Sequence, residues 1–142
     1  MNSANLAAYE AALDKEKEAC LTLLDSLEEH QRALASHDPE RIGAAVQVNL
    51  ESLEGLRLAT LARREHEGEA ADDAARPLRE KLMELGKLGR EIRRRNERNR
   101  RMVEHSLDLL HGEFRTLDEM IQSAMGRSRE ERAGGSLVSA RA

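Results

Sequence analysis

The side chains able to do chemistry are few, and their spacing limits what they can do. Asp108 and His111 stand three apart, so on a helix they share a face and could ligate one metal ion. A di-iron helical bundle needs two such pairs and two further carboxylates on facing helices, and one pair is found. His105, Ser106 and Asp108 supply the residue types of a nucleophilic triad, but helix positions one and two apart point in different directions and cannot converge. There is no Gly-rich phosphate loop, no His-Glu-x-x-His and no calcium-loop spacing. Cys20 is a single thiol, unable to form an internal disulfide, and it falls on an apolar stripe where a small buried thiol is an ordinary occupant. His30, His37 and His66 lie among charged residues and read as solvated. No catalytic residue, cofactor site or metal site is expected, and the chain does not read as an enzyme.

Two polar features remain. Residues 87–101 hold eight basic side chains against two acidic ones, inside a chain whose formal net charge is −4. Such a block attracts phosphates, but no aromatic residue is interleaved with it to stack on bases, so pairing with carboxylates of the first two helices is expected in place of nucleic-acid binding. Asn96 and Asn99 fall on an apolar stripe, where buried amides fix helix register at a cost in stability.

The elements that carry these residues follow from composition. Ala, Glu, Leu, Arg and Lys make up 84 of 142 residues, and the aromatics are Tyr9 and Phe114 alone. Strong helix formers dominate and β-branched residues are too scarce for a sheet, so the fold class is all-α. The longest apolar run is three residues, against about 20 for a membrane span, so a cytoplasmic protein without membrane insertion is expected.

Leu6, Leu13, Cys20, Leu27 and Leu34 recur every seven residues and predict a first helix over 3–36. Asp38 can cap the next helix and Pro39 can occupy its first position, where no amide hydrogen bond is needed. The second helix is predicted over 39–70 with Ile42, Val46, Leu50, Leu53, Leu56 and Leu61 inward, and Asp72 or Asp73 is placed to cap the third. From Pro77 to Met125 no residue forces a stop, so the third helix is predicted over 77–125, with Gly112 the place for a kink. Together these make a single domain, 1–125, an up-down-up antiparallel bundle or coiled coil with a long third helix. Residues 126–142, rich in Arg, Ser and Gly, read as a flexible tail.

At about 1.5 Å per residue the first two helices reach roughly 50 Å and the third roughly 75 Å, so the third outruns the hairpin by about 25 Å. That overhang, starting near residue 108, carries Leu109, Leu110, Phe114, Leu117, Met120, Ile121 and Met125. An apolar patch of this size calls for cover, by a partner, by a fold-back at His111-Gly112, or by a second copy in a homodimer. On residues alone, a partner-binding protein and a structural coiled coil that self-associates stand equal.

The stretch Ile92-Arg-Arg-Arg-Asn96-Glu-Arg-Asn99-Arg-Arg-Met102-Val103-Glu-His-Ser106-Leu107-Asp-Leu109-Leu110 resembles the signature of the FlgN family of flagellar export chaperones, in which an Asn-x-x-Asn pair precedes an apolar Leu-x-x-x-Ser-Leu helix. The loop residues Ser36, Asp38 and Glu40 and the order of the helices agree with it. The resemblance implies a non-enzymatic cytoplasmic chaperone for hook-filament junction proteins of FlgK and FlgL type before type III secretion. It implies that their C-terminal helical segments bind through the distal third helix, and that export-gate components can also be partners. Carried onto this chain, the client surface is Leu107, Leu110, Phe114, Leu117, Met120, Ile121 and Met125. No aromatic residue stands beyond Gly126, where some relatives carry one used in docking on the export machinery.

Overall fold

A computed structural model describes the backbone of residues 3–70 and 76–141 and the side chains of 3–67 and 76–126. It contains three helices, α1 (Ser3–Ser36), α2 (Pro39–Ala70) and α3 (Arg76–Arg141), and no strand among the described residues. The first two agree with the boundaries read from the sequence. Asp72 and Asp73, the expected caps of α3, lie outside the described residues. α3 does not end at Met125: its backbone stays helical through Gly126 to Arg141, because no proline intervenes and Arg, Glu and Ala sustain a helix. The chain forms two compact units, Met1–Met102 and Val103–Ala142.

In the first unit α1 is the central element. Its seven-residue stripe is buried at Leu13, Cys20 and Leu27 and half-buried at Leu6 and Leu34. A second stripe, Tyr9, Glu16, Leu23 and His30, is buried or half-buried alongside it, so α1 has two covered faces. Lys81 reaches Glu10 and Asp14 of α1, Lys17 reaches Glu84, and Asn99 reaches Leu27, so α1 and α3 run parallel. Glu16 bonds Thr60 and His30 bonds Asn49, so α1 and α2 run antiparallel. The unit therefore has the expected up-down-up course. At one end Tyr9, Leu13 and Leu78 form a buried cluster flanked by Leu6, Leu82 and Leu85.

The turn between α1 and α2 is built from four residues. His37 takes a left-handed conformation (φ 56°), and its N–H donates to Leu34 O at 3.3 Å, closing α1. The Ser36 hydroxyl bonds Ala33 O at 2.6 Å and accepts from Asp38 N at 3.2 Å. Asp38 Oδ1 then caps α2 by accepting from Glu40 N at 3.0 Å, with Pro39 in the first helical position as expected.

α2 presents only part of the face read from the sequence: Ile42 and Leu56 are half-buried as expected. Val46, Leu50, Leu53 and Leu61 are exposed. Buried or half-buried with them are Ala45, Asn49, Ser52, Ala59, Thr60 and Arg63, in one stripe along the helix. Small residues let α2 lie close to α1 while Asn49, Thr60 and Arg63 bond to it, and the leucine stripe is left about a quarter-turn away.

Candidate partner-binding surface

Residues 107–125 of α3 lie within the second unit, where the helix runs unbroken through Gly112. Leu107, Leu110, Phe114, Leu117, Ile121 and Met125 follow one another by three or four residues and share one face. Met120 falls beside that face, next to Leu109, along a shallow depression that also includes Gly112 and Thr116. All eight apolar side chains are exposed, from 46 % at Leu110 to 64 % at Phe114 and Met120. The flanks are acidic at Asp108, Glu113, Asp118 and Glu119, and Thr116 donates to the Gly112 carbonyl at 3.0 Å.

This arrangement has no reacting group in it. Flat, mobile side chains such as Leu and Met on one helix face suit a complementary amphipathic helix, which gains burial without fixed polar partners. Asp108 and His111 are both exposed. Cys20 is buried, and burial together with the Glu16 carboxylate pushes its thiol pKa up, away from the reactive thiolate.

The arginine block is largely paired within α3 itself. Arg94 and Arg95 bond Glu91 at 2.7 Å and 2.9 Å, which holds that carboxyl below its ordinary range, and Arg100 and Arg101 pair with Glu97. Arg95, with Glu28 at 3.7 Å, and Arg98, with the amide of Gln31, reach α1. The Arg95–Glu28 pair is of the kind expected, a block arginine against a carboxylate of the first helix. The two amides also separate: Asn99 is 2 % exposed and donates to Leu27 O at 2.9 Å, whereas Asn96 is exposed.

One polar cluster was not read from the sequence. Buried Glu16 accepts from Thr60 at 2.9 Å and from Arg63, which also pairs with Glu67 at 3.1 Å. Tyr9 lies within the field of this group, and burial first, then Glu67, raises its phenol pKa. The available signal was a charged residue at position 16 of the series 9, 16, 23, 30. His30, read as solvated, is half-buried and accepts the Asn49 amide at 2.8 Å as neutral imidazole.

The family model described as FlgN protein matches residues 1–131. The chain belongs to the FlgN family. It is thereby a flagellar export chaperone in general terms, a class defined by holding other proteins and not by a reaction. No curated protein and no solved structure gives a significant match. Among the described residues no helix is long and apolar enough to cross a membrane.

Proposed function

We propose that this FlgN-family chain is a cytoplasmic chaperone for hook-filament junction proteins of FlgK and FlgL type. It binds their C-terminal helical segments through Leu107, Leu110, Phe114, Leu117, Met120, Ile121 and Met125. The observation that carries the reading is the row of exposed apolar side chains on residues 107–125, since a monomeric protein rarely leaves a contiguous apolar face in water without a partner for it. A client segment that is disordered when free folds onto this face as an amphipathic helix, and its assembly surface is masked while it is held. Ordering the client consumes part of the binding free energy, which limits affinity and favours release at export.

The test is size-exclusion chromatography with light scattering on the chain mixed with a C-terminal fragment of a FlgK-type protein. Because Leu110 and Leu117 are exposed, Leu110→Glu with Leu117→Glu leaves helicity and melting nearly unchanged and abolishes the complex. A double variant that still captures the fragment refutes the assignment of this face.

A further inference from the structure

Within the unit Met1–Met102 an open groove lies over α1, between α2 and α3. Leu23 and Leu27 of α1 form its floor, Leu50 and Leu53 of α2 one wall, and Ile92, Arg93 and Asn96 of α3 the other. The floor is buried, whereas Leu50 and Leu53 are each more than half exposed, so the apolar surface left in water belongs to the wall. A further helix laid between α2 and α3 covers those leucines and completes a four-helix bundle.

Charge specifies what kind of helix fits. Arg57 and Arg64 follow Leu50 at seven-residue intervals and Arg100 follows Arg93 by seven, so these arginines continue the sides of α2 and α3 that wall the groove. All four are exposed. No carboxylate occupies those phases: the α2 side runs Val46, Leu50, Leu53, Arg57, Thr60 and Arg64, and the α3 side runs Arg93, Asn96 and Arg100. Arg93 donates to the Gly89 carbonyl at 3.4 Å. Arg57 and Arg100 pair with Glu54 and Glu97 of their own helices, in water-exposed contacts that are worth little and exchange readily. Elsewhere along α1 and α2 the surface is of mixed charge, with Lys15, Glu18 and Glu51 among small residues. The distal face of α3 has the reverse character, its leucines flanked by Asp108, Glu113, Asp118 and Glu119. A basic rim and an acidic rim select partners of opposite charge.

We propose that the groove over Leu23 and Leu27 is a second docking surface, and that its occupant is an acidic amphipathic helix of another protein. The apolar face of that helix lies on Leu50, Leu53 and Ile92, and its flanking carboxylates meet Arg57, Arg93 and Arg100. The groove and the client face thus take different partners. The groove stands without the client reading; holding both partners at once rests on it.

Fluorescence anisotropy with two labelled peptides tests this on the full-length protein, both wild type and carrying Leu110→Glu with Leu117→Glu to take the distal face out of use. Each peptide is an amphipathic helix with Leu on one face; one has Glu along both flanks and its twin has Lys. The Glu peptide binds both proteins alike, and on the distal variant the Lys twin binds weaker by about tenfold or more. Leu50→Ser with Leu53→Ser changes positions already in water, so circular dichroism and melting are unchanged, while affinity for the Glu peptide falls by about tenfold or more. Arg57→Glu with Arg93→Glu reverses the preference between the peptides. A Glu peptide that fails to bind, binds no better than its twin to the distal variant, or keeps its affinity when Leu50 and Leu53 are replaced overturns the proposal. So does sedimentation velocity in which the distal variant is a dimer dispersed by Leu50→Ser with Leu53→Ser, since a second copy is then the occupant. Failure of wild type to capture the FlgK-type fragment while the Glu peptide still binds refutes the client reading and leaves the groove standing.

Discussion

Glu16 shows how much a single side chain can hold in a thin core. Its carboxylate is buried, and Arg63 beside it is only 15 % exposed, so removing one partner strands the other out of water. Glu16→Ala is expected to cost about 3 kcal/mol, read as a lower urea midpoint. Glu16→Leu combined with Arg63→Leu, which removes both charges, comes close to wild type. His30 gives a pH signature. Burial lowers its pKa below the ordinary value near 6.5, so the unfolded chain binds the proton more readily than the folded one. Its contribution is complete above about pH 6.5 and is lost as pH falls through the lower folded value. Melting temperature followed from neutral to mildly acidic pH shows this slope, and His30→Gln flattens it. At this scale the sequence was legible where one type of residue marks one role, as with Cys20 on the apolar stripe. His30 was misread because charge was equated with solvent, and Glu16 was not singled out, although both sit in the series that contains Tyr9 and Leu23.

Helix ends and helix faces were not equally legible. The α1–α2 turn was readable because Asp38 and Pro39 each have a local physical reason to stand there. Asp38→Ala is expected to lose about 1 kcal/mol with the cap. His37→Gly acts in the opposite direction, since a left-handed residue with a Cβ carries strain that glycine lacks, and raises stability by about 1 kcal/mol. Thermal melts of the two variants against wild type check both signs. The α2 face was misread for a different reason. Leucine content was taken as the sign of the inner face, but Ala45, Ser52 and Ala59 share one seven-residue phase and Asn49, Leu56 and Arg63 another. Those small and polar positions permit close approach to α1, and the bulky residues are turned outward as a result.

The distribution of burial between the two units predicts how stability is distributed in the whole molecule. In the unit Met1–Met102, α1 is covered on two faces and tied to both other helices by hydrogen bonds. Residues 103–126 form one helix whose large apolar side chains are exposed, and an isolated helix of that length is marginal in water. Local opening free energy follows buried contacts, so amide hydrogens of residues 103–126 should exchange far faster than those of α1 when the protein is dilute. Adding a FlgK-type C-terminal fragment should extend protection across residues 107–125 while leaving that of α1 unchanged. Hydrogen exchange read by mass spectrometry separates these cases by which segments respond. Full protection of 107–125 at the lowest concentration without client would mean that the face is already covered within one chain, and the partner role assigned to it would fail.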